Sequence, residues 1–190
     1  MTREAEALLA LWFGEHGRRC WFDPDPAFDA ELRQRFLPLM EQALEGRLAE
    51  WEAEPESCLA LLLLLDQLPR NLYRDQARAH AGDAAARRIA ALAVERGFDR
   101  RLPPDRRLFV YLPFQHSEDP ADQRRSVRLI GALSEALPPA RRGEAAVWYE
   151  HALQHQAVIE RFGRFPHRNA RLGRSSSEAE EAWLAAGGGF

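Results

Sequence analysis

Leu59, Leu61, Leu62, Leu63, Leu64 and Leu65 crowd one stretch between Pro55 and Pro69. Read as a helix over Glu56–Leu68, this segment is apolar on every side. A helix with no polar face has nothing to offer water, so other elements must surround it. Strand formation is disfavoured, because β-branched residues are scarce and turn signals recur at helical rather than strand spacing. The run Cys58–Leu65 is also far shorter than the roughly 20 residues that a bilayer-spanning helix needs. The chain is therefore expected to be all-α, built around this buried helix. Asp66 and Gln67 follow at its end, where a carboxylate opposes the helix dipole and needs a cationic partner. Arg70, Arg74 or a later arginine-rich segment is suited to that role.

The rest of the chain supplies the surrounding helices. A first helix begins near Thr2 and stops at Phe13-Gly14. Asp25-Pro26 starts another, with aspartate accepting from free amides and proline in the first turn. Phe28, Leu32, Phe36 and Met40 then recur at helical spacing, interrupted by Pro38, where a kink is expected. Leu48 and Trp51 sit on a short helical turn. Further helices are expected over Asp83–Arg96, stopped at Gly97, and from Pro103-Pro104 to a break at Pro113. Asp119-Pro120 repeats the cap-and-proline device, and Glu144–Phe162 follows. Ser177-Glu178-Ala179-Glu180 is a capping box for a last short helix.

All 26 fixed-charge basic residues are arginine. Without lysine, Schiff-base chemistry and a phosphate-loop lysine are excluded. The net charge of −3 disfavours nucleic acid as a partner, although Phe162 and Phe165 between arginines would suit base stacking. Acidic Asp23–Glu56 and basic Arg161–Arg174 have the charges to neutralise each other. Cys20 and Cys58 lack any CxxC spacing and are read as reduced thiols. With Glu4 and Glu6 near the start and no signal-peptide pattern, a cytoplasmic location is expected and no membrane association.

Three polar segments follow apolar helical stretches: Asp66–Asn71, Pro113–Glu118 and Phe162–Arg174. In each, proline is expected to end the helix and leave backbone groups beside charged side chains. The third holds Arg164, Arg168, Arg171 and Arg174 without one acidic residue, and guanidinium forks suit carboxylates and phosphates. Trp148, Ala152, His155 and Ile159 share one helical stripe, which turns the His155 imidazole inward. His151 and His155 form HxxxH, but Ala152 replaces the glutamate of a zinc-protease motif, and neither metal nor cofactor is expected. His116 or His155 suits general acid–base chemistry, oriented by Glu118 or Asp66. Ser117, between His116 and Glu118, makes a poor triad because adjacent residues point apart. The plainer alternative is that Asp66 and Glu118 form ion pairs with Arg70, Arg164 or Arg168 that pin helix ends.

The segments LLLLLDQLPRNLYR, YLPFQHSEDPADQ and HQAVIERFGRFPHRNARLGR resemble the motifs of the bacterial domain-of-unknown-function 924 family. Leu11–Gly14 and Trp21-Phe22 are similar to its N-terminal pattern. The resemblance spans nearly the whole chain and implies an α-helical, tetratricopeptide-like fold with no established activity. It also carries over Asp66, Gln67, Arg70, Asn71, His116, Ser117, Glu118, His155, Arg164, Arg168, Asn169 and Arg174 as motif positions.

The resulting expectation is one all-α domain over residues 1–190, with about eight helices in antiparallel hairpins. N-terminal helices occupy 1–55, a core carrying the polar motifs 56–174, and a last helix 175–190. His116, Glu118, His155 and Asp66 are candidate metal-independent acid–base groups. Gln67, Arg70, Asn71, Arg164, Arg168, Asn169 and Arg174 are candidate ligand contacts for a small anionic molecule. The rival reading is a scaffold that binds a peptide or protein, with the polar cluster purely structural. Oligomeric state is left open.

Overall fold

The computed structural model describes residues 1–190 and is all-α. Eight α-helices run eight residues or longer: α1 (Arg3–Trp12), α3 (Pro26–Leu44), α4 (Pro55–Leu62), α6 (Asp83–Glu95), α8 (Pro104–Gln115), α9 (Pro120–Ala136), α10 (Arg142–Phe162) and α11 (Glu178–Ala185). Three shorter ones, α2 (Glu15–Arg19), α5 (Leu68–Leu72) and α7 (Phe98–Arg101), lie between them. No helix is long and apolar enough to cross a membrane. The chain divides into two compact units, one of Met1–Arg74 with Arg78–Pro113 and one of Asp75–Ala77 with Phe114–Phe190.

The first unit is assembled around the leucine run. Leu61–Leu65 are each 3% exposed or less, and burying one such side chain stabilises by about 1.5–3 kcal/mol. Helices α1 and α6 pack on α4, and α3 packs on α5. Trp12, Phe28 and Phe109 fill the centre beside them, with Trp12 set edge-on to Phe109 at 5.7 Å.

Two expected breaks do not occur. The leucine helix does not stop before Pro69; it widens into a π-helical turn over Leu63–Gln67 and continues as α5. In that turn the Leu68 N–H donates to the Leu63 carbonyl. Proline 69 has no N–H to give the Leu65 carbonyl, which is the bond a regular helix would place there. Gly82 fills that side instead, so close that a Cβ would overlap the Leu65 oxygen. Helix α8 likewise runs through Pro113 to Gln115.

In the second unit α9 and α10 form a helical hairpin. The Ser134 hydroxyl donates to the Ala145 carbonyl at 2.9 Å, while Gly131 lies against the Tyr149 ring. Rising numbers on one helix meet falling numbers on the other, so the pair is antiparallel. The expected caps are present: Asp119 accepts from Ala121, and Ser177 and Glu180 complete the capping box. Helix α10 ends at Gly163, whose φ of 70° suits glycine.

Candidate functional site

The first polar segment lies wholly within the first unit. Asp66 is 1% exposed inside the π-helical turn. Its Oδ2 accepts from the Gln67 side-chain amide at 2.6 Å. Arg70 Nη1 lies 3.5 Å from Asp66 Oδ1 and donates to the Asp66 carbonyl and to Asp83 Oδ1, each at 2.9 Å. Of the partners expected for Asp66, Arg70 is the one that meets it, with Asp83 added. Asn71 turns elsewhere and donates to Asp29 Oδ1 at 2.7 Å.

The other two segments meet in the second unit. His116, Ser117 and Glu118 occupy the turn between α8 and α9. Gln123, fully buried, holds that turn: its amide donates to the carbonyls of Phe114, Gln115 and Ser117 at 3.4, 2.7 and 2.6 Å. Ser117 Oγ accepts from the Asp119 N–H at 3.1 Å, a turn-stabilising bond. Glu118 reaches the arginine segment. Its Oε1 accepts from the Phe165 N–H at 2.8 Å, and both its oxygens accept from Arg174.

His155 stands beside this junction on α10, 7% exposed. Its Nδ1 is 2.7 Å from the His151 carbonyl. A carbonyl only accepts, so Nδ1 carries the proton and Nε2 is the acceptor of the neutral ring. The HxxxH pair is thus joined through backbone rather than presented as a chelate. Phe165 is edge-on to His155 at 5.6 Å, His116 is 6.3 Å away, and Phe190 stacks on the imidazole at 3.7 Å. Burial first, and then the neighbouring His116, Arg168 and His167, pushes the His155 pKa down to about 3, against the opposing His151 bond.

The arginines of the basic segment divide into distinct roles. Arg164 forms a fork–fork pair with Glu180 at 2.6 and 2.7 Å and also donates to the Ser175 carbonyl. Arg171 pairs with Asp75, and Arg174 with Glu118. Their carboxylate partners are Glu180, Asp75 and Glu118, none of which lies in the acidic stretch Asp23–Glu56. Arg168 is 6% exposed with its guanidinium 4.5 Å from the Phe165 ring centroid. Asn169, also buried, donates to Ser176 Oγ at 3.0 Å.

A family model described as a bacterial protein of unknown function, DUF924, matches residues 8–188. The chain belongs to this family. A protein of unknown function from Agrobacterium tumefaciens, whose structure is solved, shares 38% identity with this DUF924 chain at a TM-score of 0.85, and the match covers 96% of this chain and 97% of that one. No curated protein matches it.

In this DUF924 protein the second unit thus gathers His116, Glu118, His155, Arg168 and Arg174 around Phe165. Three residues outside the candidate ligand and acid–base positions complete the arrangement. Gln123 holds the turn, Glu180 takes up Arg164, and Phe190 covers one face of His155. Gln123 ends the motif YLPFQHSEDPADQ and Glu180 belongs to the capping box, so both were within reach of a signal. A neutral imidazole with one committed nitrogen can accept a hydrogen bond, and the basic groups around it favour negative charge.

Proposed function

We propose that the cluster around His155 binds a small anionic molecule, with the Arg168 guanidinium contributing positive charge beside the imidazole. The supporting observation is that Phe165 is flanked by the Arg168 guanidinium at 4.5 Å and the His155 ring at 5.6 Å, with His116 6.3 Å from His155, while the neighbouring Glu118 carboxylate is engaged by Arg174. A site of that character is poor for a cation and good for an anion. Binding is favoured over proton transfer, because a general base works best with a pKa near the operating pH. Arg164 and Arg174 are held by carboxylates and serve as struts under this reading. A thermal-shift screen of phosphorylated and carboxylated metabolites, run on the native protein and Arg168→Gln, tests it. At least one compound raises the native melting temperature and not that of the variant. Failure of every compound, or equal shifts in both proteins, contradicts the reading.

The second reading, a tetratricopeptide-like scaffold for a peptide or protein, draws on the pairing of Arg164, Arg171 and Arg174 with the chain's own carboxylates. Under it the cluster only braces the helices. Loss of stability on Arg168→Gln, with no compound effective, favours this alternative.

A further inference from the structure

His16, Cys20 and Asp25, in the first unit, bring three ligand types to one point. His16 Nε2 lies 3.8 Å from Cys20 Sγ and 3.7 Å from Asp25 Oδ2, and Cys20 Sγ lies 3.6 Å from Asp25 Oδ2. Metal bonds of about 2.0–2.1 Å to nitrogen, 2.0–2.2 Å to oxygen and 2.3 Å to sulfur define a tetrahedral zinc site. At the tetrahedral angle those lengths separate nitrogen from sulfur by about 3.6 Å, nitrogen from oxygen by about 3.4 Å, and oxygen from sulfur by about 3.6 Å. The observed triangle is within a few tenths of an ångström of that face on every edge.

We propose that His16 Nε2, Cys20 Sγ and Asp25 Oδ2 form a three-ligand site for a tetrahedral transition-metal cation of the Zn2+ class, with the fourth position open to solvent.

The surroundings hold these atoms in place. His16 lies on α2 and Cys20 caps its C-terminal end one helical turn later, so both side chains leave the same side. That helix is seated tightly, since a Cβ on Gly17 would overlap the carbonyls of Leu11 and Trp12. Trp21 Nε1 donates to the same Trp12 carbonyl at 2.9 Å. Phe28 packs on the His16 ring at 5.5 Å. Asp25 divides its labour: Oδ1 accepts from the Ala27 and Phe28 N–H groups at 2.8 and 3.1 Å, and Oδ2 faces the other two ligands. Such bonds to a ligating carboxylate fix its orientation. The Cys20 thiol also donates toward the His16 carbonyl at 3.3 Å, and metal binding releases its proton to solvent. Soft thiolate with imidazole and one carboxylate selects zinc-like ions over calcium or magnesium. The His16 side chain is 58% exposed, which leaves a path of entry.

Titration of the metal-stripped, reduced, full-length protein with Co2+ alone tests the proposal. The expected result is a saturable one-to-one rise of a thiolate-to-cobalt absorption band, together with the intense visible bands of tetrahedral cobalt, all displaced by Zn2+. Cys20→Ser abolishes the thiolate band and Cys58→Ser leaves it intact. His16→Ala, at an exposed position, weakens binding by at least about ten-fold. Absence of a saturable band in the native protein overturns the proposal, as does a band that survives in Cys20→Ser or disappears only in Cys58→Ser. Unaltered affinity in His16→Ala overturns the three-ligand assignment.

Discussion

Glu118 and Arg174 meet as a parallel pair of forks, with Nη1 2.8 Å from Oε2 and Nη2 2.9 Å from Oε1. The same carboxylate takes the Phe165 N–H, and the same guanidinium donates to the Phe165 carbonyl at 3.2 Å. One ion pair therefore clasps both backbone groups of the residue that packs against His155. Burial opposes the ionised form of Glu118, but Arg174, the Phe165 amide and Arg168 together hold its carboxyl below the usual range.

Glu118→Ala leaves Arg174 and the Phe165 amide without this acceptor. Both partners are partly reached by solvent, which tempers the cost to about 1–3 kcal/mol. Urea unfolding of the variant against the native protein measures it. A change below about 0.5 kcal/mol contradicts the clasp, since that is the range of ordinary surface substitutions.

Gln123→Ala removes a fully buried amide from the carbonyls of Phe114, Gln115 and Ser117. Leaving buried acceptors unmatched costs about 1–3 kcal/mol. The turn carrying His116 also loosens, so amide exchange at 116–118 accelerates more than exchange in the hairpin α9–α10. Equal acceleration everywhere is the contrary result.

Gly82→Ala pushes a methyl group into the Leu65 carbonyl at the π-helical turn. The conflict is with backbone, which yields little, and the expected loss is about 2–4 kcal/mol in chemical denaturation. A neutral effect contradicts the close approach.

Gln123 and Gly82 also mark what a reader of the sequence misses. Asp25-Pro26, Asp119-Pro120 and the Ser177–Glu180 box are legible because a cap acts on amides two or three residues away. The leucine run declares its own burial for the same reason: its signal is local. The π-helical turn depends on Gly82 arriving from the turn that caps α6, and nothing near Pro69 announces that. Pro113 inside α8 shows the same limit, because its neighbours override its tendency to break the helix. Charge pairing was legible in kind but not in partner. Asp66 finds Arg70, one of the partners expected, whereas Glu118 is gripped in a fork by Arg174, which the charge pattern alone did not point to. Cys20 reads as a plain thiol when only CxxC spacing is sought, although His16 stands four residues before it and Asp25 five after.

Glu180 is held down to about 2 by Arg164, by the Ser177 amide and, against burial, by the Ser177 hydroxyl. The unfolded carboxyl titrates near 4.5. A group depressed in the folded state stabilises it fully above the unfolded value and loses that contribution as pH falls toward the folded one. Stability therefore declines between 4.5 and about 2. Glu180→Gln flattens this part of the pH profile, as measured by thermal melting across the range. A profile with the native slope in the variant contradicts the assignment.

His155 works in the opposite sense from a paired histidine. The unfolded imidazole takes up a proton near 6.5 and the folded one only near 3, so acid below 6.5 favours unfolding through this residue. In the folded protein its ring resonances stay flat between about pH 5 and 8.

The most direct test of the anion-binding account is the NMR titration of the His155 ring in the absence and presence of saturating inorganic phosphate, with chloride matching the ionic strength. A bound anion favours the protonated ring, so phosphate raises the His155 pKa and shifts its resonances saturably, and Arg168→Gln abolishes both effects. Ring resonances that ignore phosphate, or that respond equally in the variant, contradict the account.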